Sequence, residues 1–383
     1  MSEQTASLLL VGVGSGGCRF ASSAAMRFGP GIQAIGFDTD ALYTRSISGM
    51  RCMILGAARY DGRSTGGDIV KGRTAATDDT DNIRNATKGV RLAVVVTALG
   101  GGTGTGATPE ILSVLRSQGA TTLCLATLPF EFEGKDRATI AKRAIPVLEE
   151  NADALVVLKL DDLYAPDVNA PLSQAMSAAE GALGDALTLL WSLIYSPGYI
   201  SISPEKLIAL LMQSAGHCRF AVASADGPAR ASECVGKLCK SPMLGASPSL
   251  ESVKAAIVGV LASSDLRLTE LSEISSTFRS TIPSSCEFTI GTVLDERYSG
   301  TLKLVTIMFD AIQPDDTSAP EAPADELQPI PSPKRTHKKS RGDSKLSMGA
   351  TGRGRFKDVE GTILNGQDLD IPTYLRQRIT LDR

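Results

Sequence analysis

Along the first 160 residues, short runs of continuous apolar sequence alternate with segments whose apolar positions recur every three or four residues. SLLLVGVG (7–14), GIQAIGFD (31–38), RCMIL (51–55), LAVVVTA (92–98), TTLCLATLPF (121–130) and ALVVLKL (154–160) read as strands. Continuous rather than alternating hydrophobicity marks strands buried on both faces, as in a parallel sheet covered by helices. DRATIAKRAIPVLEENA (136–152) carries the helical period, and a further helix is expected from about Ala107 to Gln118. An Ala- and Leu-rich helix is expected over 171–194, then SPEKLIALLMQSAG with Ser203 as N-cap and Pro204 at its first position. HCRFAVASA, VKAAIVGVLAS, CEFTIGTVLD and TLKLVTIMFD are further strands, with helices near 229–240 and 267–280, forming a second, smaller α/β unit.

From Gln313 the apolar residues disappear. QPDDTSAPEAPADELQPIPSPKRTHKKSRGDSK is rich in Pro, Ser and charge, acidic first and basic afterwards, which fits a flexible linker. Apolar residues return in GQDLDIPTYLRQRI, a short amphipathic peptide suited to capture by another protein. The expected divisions are 1–170, 171–200, 201–312, a disordered linker at 313–353 and a partner-binding peptide at 354–383.

Composition narrows the chemistry. A net charge of −3 over 383 residues gives no general nucleic-acid or membrane surface, and no run of 18 apolar residues or N-terminal signal is present. Seven cysteines without a C-x-x-C pair point to reduced thiols in a cytoplasm. With only His217 and His337, a His-based zinc site or a Ser-His-Asp triad is not expected, and His217 reads as a strand residue.

Two glycine clusters follow predicted strands. Gly12, Gly14 and Gly17 satisfy G-x-G-x-x-G, with Asp38 about 20 residues on, as a dinucleotide site requires; a ligand-free strand–helix turn reads the same way. The second, Gly100, Gly101, Gly102, Thr103, Gly104, Thr105 and Gly106, also follows a buried strand and opens a helix. Backbone amides there would cradle anionic oxygens, with Thr103 and Thr105 adding hydroxyls. Two such loops on neighbouring strands would grip successive phosphates of one nucleotide. No G-K-[ST] follows either loop, so a Walker A site is excluded.

The GGGTGTG run resembles the signature of the tubulin/FtsZ superfamily, and the similarity to its FtsZ branch runs from about Leu8 to Asp310. FDTDA (37–41), GGDIVKGR (66–73), LPFEFEGKDR (128–137), IYSPGYI (194–200), IGTVLDE (290–296) and the tail LDIPTYLRQ (369–377) resemble further family segments. The resemblance implies a tubulin/FtsZ-like α/β fold: a Rossmann-like parallel-sheet GTP-binding domain joined by a central helix to a smaller α/β domain. It also implies head-to-tail protofilaments of the chain with itself, in a cytoplasmic protein at the division site. GTP or GDP, with Mg²⁺ as its usual companion, would meet Gly12, Gly14, Ser15 and Gly16 at the phosphates. Gly100 to Gly106 would hold the β/γ end, and Glu133 and Arg137 the ribose. On the central helix Met176 and Glu180 stand where the family has Phe and Asn or Asp; the pair shares a helix face and would bind guanine, or else would be an ordinary core Met and surface Glu.

After SPGYI the family has N-x-D-x-x-D, whose acids enter the neighbour's GTP site. Here the three positions hold Ser201, Ser203 and Lys206. Loss of a positioned general base typically lowers a rate by about 10²–10⁴. Either Glu205 acts in trans in place of the missing acids, or hydrolysis is slow or absent. Asp370, Ile371, Pro372, Tyr374, Leu375 and Arg376 would bind a membrane-anchoring or regulatory division protein. The expected function is a GTP-binding protein that polymerises into division filaments. The alternatives are a paralogue that co-assembles with or regulates such filaments, and a nicotinamide-dependent oxidoreductase.

Overall fold

The structure, a computed structural model, describes residues 8–29, 31–163, 171–195, 198–213, 216–244, 250–310, 363–364 and 367–368. The N-terminal half runs β1 (Leu8–Val13), α1 (Gly14–Phe28), β2 (Ala34–Asp38), α2 (Ala41–Ser46), β3 (Arg51–Ile54), α3 (Ala57–Tyr60), α4 (Ile69–Asp78), α5 (Thr80–Ala86), β4 (Leu92–Ala98), α6 (Gly102–Ser117), β5 (Thr121–Leu128), α7 (Lys135–Asn151), β6 (Ala154–Lys159) and α8 (Leu160–Leu163). The long α9 (Leu172–Tyr195) follows. Then come α10 (Pro204–Gln213), β7 (Gly216–Asp226), α11 (Arg230–Cys239), β8 (Val253–Ala262), α12 (Leu268–Thr281), β9 (Glu287–Leu294) and β10 (Thr301–Asp310). Ile363–Leu364 and Gln367–Asp368 pair antiparallel in a separate unit.

The ten strands are ordered β3-β2-β1-β4-β5-β6-β7-β10-β8-β9. The first six are parallel; all but the edge strand β3 are largely buried on both faces between helices, which is why the sequence shows unbroken apolar runs there. Among the described residues β7 joins β6 through two rungs, Ala154↔Gly216 and Leu155↔His217. β10 then lies antiparallel to β7 and β8, and β9 parallel to β8, giving a mixed four-stranded portion. The fold is α/β, a parallel-sheet domain and a smaller mixed one. α9 ties the halves together: its Trp191 is buried edge-on to Phe28 of α1 with ring centres 6.5 Å apart, and its Leu193 packs over Gly259 and Gly291.

Several elements depart from the sequence expectation. α6 begins at Gly102 rather than near Ala107, so the glycines form its first turns instead of a loop before it. Close packing requires glycine there: a Cβ on Gly106 would sit 2.1 Å from the Ile69 carbonyl oxygen of α4, one on Gly102 2.6 Å from that of Asp68, and one on Gly104 2.5 Å from that of Ala98. α4 and α5 were not expected as helices. Their buried face is built from Gly72, Ala75, Ala76 and Ile83, too small and sparse to produce an apolar stripe. At α10 the expected cap is present, the Lys206 amide donating to Ser203 Oγ at 3.2 Å.

Candidate functional site

Strand order reverses between β1 and β4: the chain leaves β1 toward β2 and leaves β4 toward β5. The crevice beyond the C-terminal ends of these two strands is where doubly wound sheets bind ligands. α1 starts directly after β1 and α6 after β4, and the two starts touch. Gly14 has φ 69°, and a Cβ on it would lie 2.7 Å from the Gly104 nitrogen. Neither helix has a capping side chain or an acidic residue in its first turn. Their first amides and the positive ends of both dipoles are therefore left for an anion.

These helix starts border a cavity of about 480 Å³, a size suited to a nucleotide. Gly14, Ser15 and Gly16 line it from α1, and Gly101, Gly102, Thr103 and Gly104 from α6. Glu133, Arg137 and Met176 line it farther out. Gly101 has an extended backbone, and a Cβ placed there meets nothing within 4 Å, so this backbone faces open space. Thr103 Oγ1 is 2.8 Å from Thr39 Oγ1, which joins the β2 loop to the α6 start. Arg137 pairs with Glu133, whose Oε1 also accepts the Phe130 amide at 3.0 Å.

The other candidate residues lie outside this lining. Gly12 is pressed against the Cys18 Cα, and Gly100, with φ 96°, against Arg137. Thr105 turns inward, its Oγ1 accepting the Gly100 amide at 3.0 Å, so it braces the loop. Gly106 faces α4. Glu180 Oε1 lies 2.8 Å from Arg19 Nε, and Arg19 itself lines the cavity.

Phe130 and Phe132 carried no assigned role in the sequence reading. They stack with ring centres 5.0 Å apart at the outer wall, Phe132 exposed. LPFEFEG had displayed both rings without showing that they meet. Asp38, only 1% exposed, accepts from Ser15 Oγ at 2.6 Å and from the Thr39 amide at 2.7 Å. Burial pushes its carboxyl above the ordinary value, while the Ser15 hydroxyl and the Thr39 and Asp40 amides pull it back. A buried carboxyl engaged in this way does not offer the ribose contact of a dinucleotide fingerprint.

The segment after α9 lies at the other end of the sheet. Gly198 passes so close to β9 that a Cβ on it would be 1.6 Å from the Thr292 carbonyl oxygen. Ile200 and Thr292 exchange hydrogen bonds at 2.8 and 3.0 Å, and Ile202 is buried. Tyr199, Ser201, Ser203 and Glu205 stay exposed. Glu205 Oε1 is 3.5 Å from Arg91, the residue before β4, and Lys206 Nζ is 3.1 Å from Glu287 at the start of β9. The seven residues of β4 separate Arg91 from the cavity by roughly 20 Å. Glu205 therefore cannot reach its own chain's cavity.

Asp370, Ile371, Pro372, Tyr374, Leu375 and Arg376 lie outside the described residues. Among the described residues no helix is long and apolar enough to cross a membrane, and no group of three or more His, Cys, Asp or Glu is placed to hold a metal ion.

Two uncapped helix starts meeting at the switch point of a parallel sheet make a backbone cradle suited to a polyanion, and similarity to known proteins narrows that class. A family model described as the Tubulin/FtsZ family, GTPase domain, matches residues 7–166, and one for the FtsZ family, C-terminal domain, matches 216–311. Cell division protein FtsZ of Pseudomonas aeruginosa is 30% identical over 295 residues, 76% of this chain and 74% of that protein. The FtsZ of Azotobacter vinelandii is 27% identical over 98% of this chain and 97% of its own length. A solved FtsZ dimer from M. jannaschii superposes with a TM-score of 0.75 at 26% identity, over 80% of this chain and 89% of that one. The chain belongs to the tubulin/FtsZ family.

Proposed function

We propose that this chain binds GTP in the cavity between the α1 and α6 helix starts and assembles head to tail into filaments that serve cell division. The observation that carries the reading is the pair of touching helix starts with no capping side chain and no acid in either first turn. Ser15, Gly101 and Thr103 would meet the phosphates, Glu133 and Arg137 the ribose, and Met176 with the Phe130–Phe132 stack the base. Gly12, Gly100, Thr105, Gly106 and Glu180 support that lining from behind. Mg²⁺ would accompany the triphosphate. The division into a GTP-binding domain, central helix, second domain, linker and terminal peptide belongs to the same reading. In it, the peptide Asp370 to Arg376 hands the filament to an anchoring or regulatory protein in the cytoplasm. The similarity to the A. vinelandii protein over nearly the whole chain supports this.

Self-assembly is supported by likeness to a structure described as an FtsZ dimer and by the placement of Glu205. That carboxylate sits at the end of the sheet opposite the cavity, so a nucleotide can meet it only on another copy. Its companions are poor bases. Ser201 and Ser203 stay neutral at pH 7, and Lys206 is cationic and paired with Glu287. Glu205 is itself paired with Arg91, which must be displaced before it orients water. Hydrolysis is accordingly slow, and filaments outlive their assembly.

Phosphate release from GTP, measured as protein concentration rises with pelleting in parallel, tests this. Filaments that pellet with GTP and turn over slowly, with turnover falling a further ~10²-fold or more in Glu205→Gln, are the expected result. Absence of GTP-dependent pelleting, or fast turnover unaffected by Glu205→Gln, would overturn it.

A further inference from the structure

β2 carries a glycine, Gly36, at the point where α1 crosses it, and two cysteines meet over that gap. Cys52 of β3 is in register with Gly36, and Cys18 comes from the first turns of α1. A Cβ on Gly36 would lie 2.7 Å from Cys52 Sγ and 2.9 Å from Cys18 Sγ. Both sulfurs therefore converge on one point, which puts them at most 5.6 Å apart. Cys18 is fully buried and its sulfur also lies 3.5 Å from the Gly12 carbonyl oxygen, whereas Cys52 is half-exposed.

We propose that Cys18 and Cys52 form an oxidisable dithiol, with hydrogen peroxide as the class of oxidant, that closes into a disulfide beneath the phosphate loop.

The chemistry follows from the asymmetry of the pair. The Cys18 thiol beside it lowers Cys52 below the ordinary thiol value, so the accessible sulfur is the better source of thiolate. The neighbouring Cys52 sulfur, with burial, holds Cys18 well above that value as the protonated partner. The Cys52 thiolate attacks one peroxide oxygen, the O–O bond breaks, and the departing hydroxide takes up a proton as water, leaving a sulfenic acid. Cys18 sulfur then attacks the Cys52 sulfur. Its proton leaves with the displaced hydroxide as a second water, and the S–S bond forms. Two thiols and one peroxide thus give one disulfide and two waters. Three other cysteines contrast with this pair. Cys124 and Cys234 are buried thiols pushed up to about 12, and Cys239, also raised by burial, faces Thr281 rather than a second sulfur.

A disulfide at this place would act on the ligand site, a consequence that rests on the nucleotide reading above. Drawing the sulfurs together to ~2.05 Å pulls Cys18 toward β3. The Cys18 Cα is the atom that a Cβ on Gly12 would strike at 2.7 Å, and the Gly14–Gly17 turn immediately precedes it. The first amides of α1 therefore move with the staple.

Treating the full chain with peroxide, blocking residual thiols, digesting and identifying linked peptides by mass spectrometry tests the proposal. The expected result is a Cys18–Cys52 linked peptide, loss of two of the seven thiols, and reversal by dithiothreitol. Cys52→Ser should abolish the link, and Cys18→Ser should leave a Cys52 sulfenic acid that dimedone traps. Fluorescent GTP-analogue affinity, read on the same samples, should weaken roughly tenfold or more on oxidation and recover on reduction. Peroxide that takes Cys52 to sulfinic acid with Cys18 untouched, or that links other pairs, would overturn the dithiol. Reduced protein binding the analogue while no Cys18–Cys52 link forms would leave the nucleotide reading standing and sink this one. A link that forms in a protein showing no guanine-nucleotide affinity when reduced would uphold the dithiol and sink the nucleotide reading.

Discussion

Asp38→Asn should tighten triphosphate binding and make it less dependent on pH. In the native chain the Ser15 hydroxyl spends its only hydrogen on the Asp38 carboxylate, 2.6 Å away. A phosphate oxygen touching Ser15 would sit two hydrogen-bond lengths from that carboxylate, about 5 Å. Unit charges at that distance repel by about 3 kcal/mol at an effective dielectric of ~20. Asparagine removes the charge and keeps the geometry: its Oδ1 accepts the Thr39 amide in place of the carboxylate, and its Nδ2 donates to Ser15 Oγ. The hydroxyl hydrogen is then free to point into the cavity. The sign with pH follows from the raised carboxyl. An anion beside it raises it further, so the native protein takes up a proton on binding. Affinity therefore falls as pH rises from the free-protein value toward the bound value, and levels off beyond. Titration with a fluorescent GTP analogue at several pH values should give Asp38→Asn a Kd about 10–100-fold lower in the alkaline range, the two proteins converging as pH falls. Equal affinities throughout, or weaker binding by the variant, would refute the reasoning.

Gly101→Ala should leave stability almost untouched, since its backbone is extended and the added methyl meets nothing, yet it should weaken GTP binding by ~10-fold or more through contact with the ligand; paired thermal melts and nucleotide titrations separate the two effects. Arg230, 4% exposed, makes bidentate hydrogen bonds to both Asp265 and Glu270. Arg230→Met should lower stability in urea by about 3 kcal/mol, near the low end for a broken buried pair because the Asp265 side chain is 41% exposed and rehydrates. Both acids are held below their ordinary values by those bonds. Their contribution is thus fully present above the ordinary carboxylate range and is lost as pH falls through the lowered values. Acid melts of Arg230→Met should show a shallower decline over that range than the native protein.

The parallel strands were legible because burial on both faces leaves an unbroken apolar signature, and the two phosphate loops because so many glycines have no other local use. The start of α6 was hidden for the same reason: glycine argues against a helix wherever close packing by α4 is not foreseen. α4 and α5 bury small residues and leave no stripe. The Asp38–Ser15 bond joins residues 23 positions apart and requires knowing that β1 lies beside β2. The position of Glu205 was invisible for a similar reason, since only the fold places residue 205 beside residue 91. The stacked Phe130 and Phe132 stand two positions apart in sequence but become a wall only once the turn after β5 is formed.

The two bare helix starts also bear on folding. Eight amides, four at each start, have no partner within their own helix, and the α1 and α6 ends bring their positive dipoles together. The free chain thus keeps a local conflict that an anion relieves, so a nucleotide bound there would be a folding ligand as well. Bound at a concentration 1,000 times its Kd, it would add about 4 kcal/mol to the native state. The fragile species is then the empty subunit. Depletion of the triphosphate pool would expose this chain to unfolding and proteolysis as well as to disassembly.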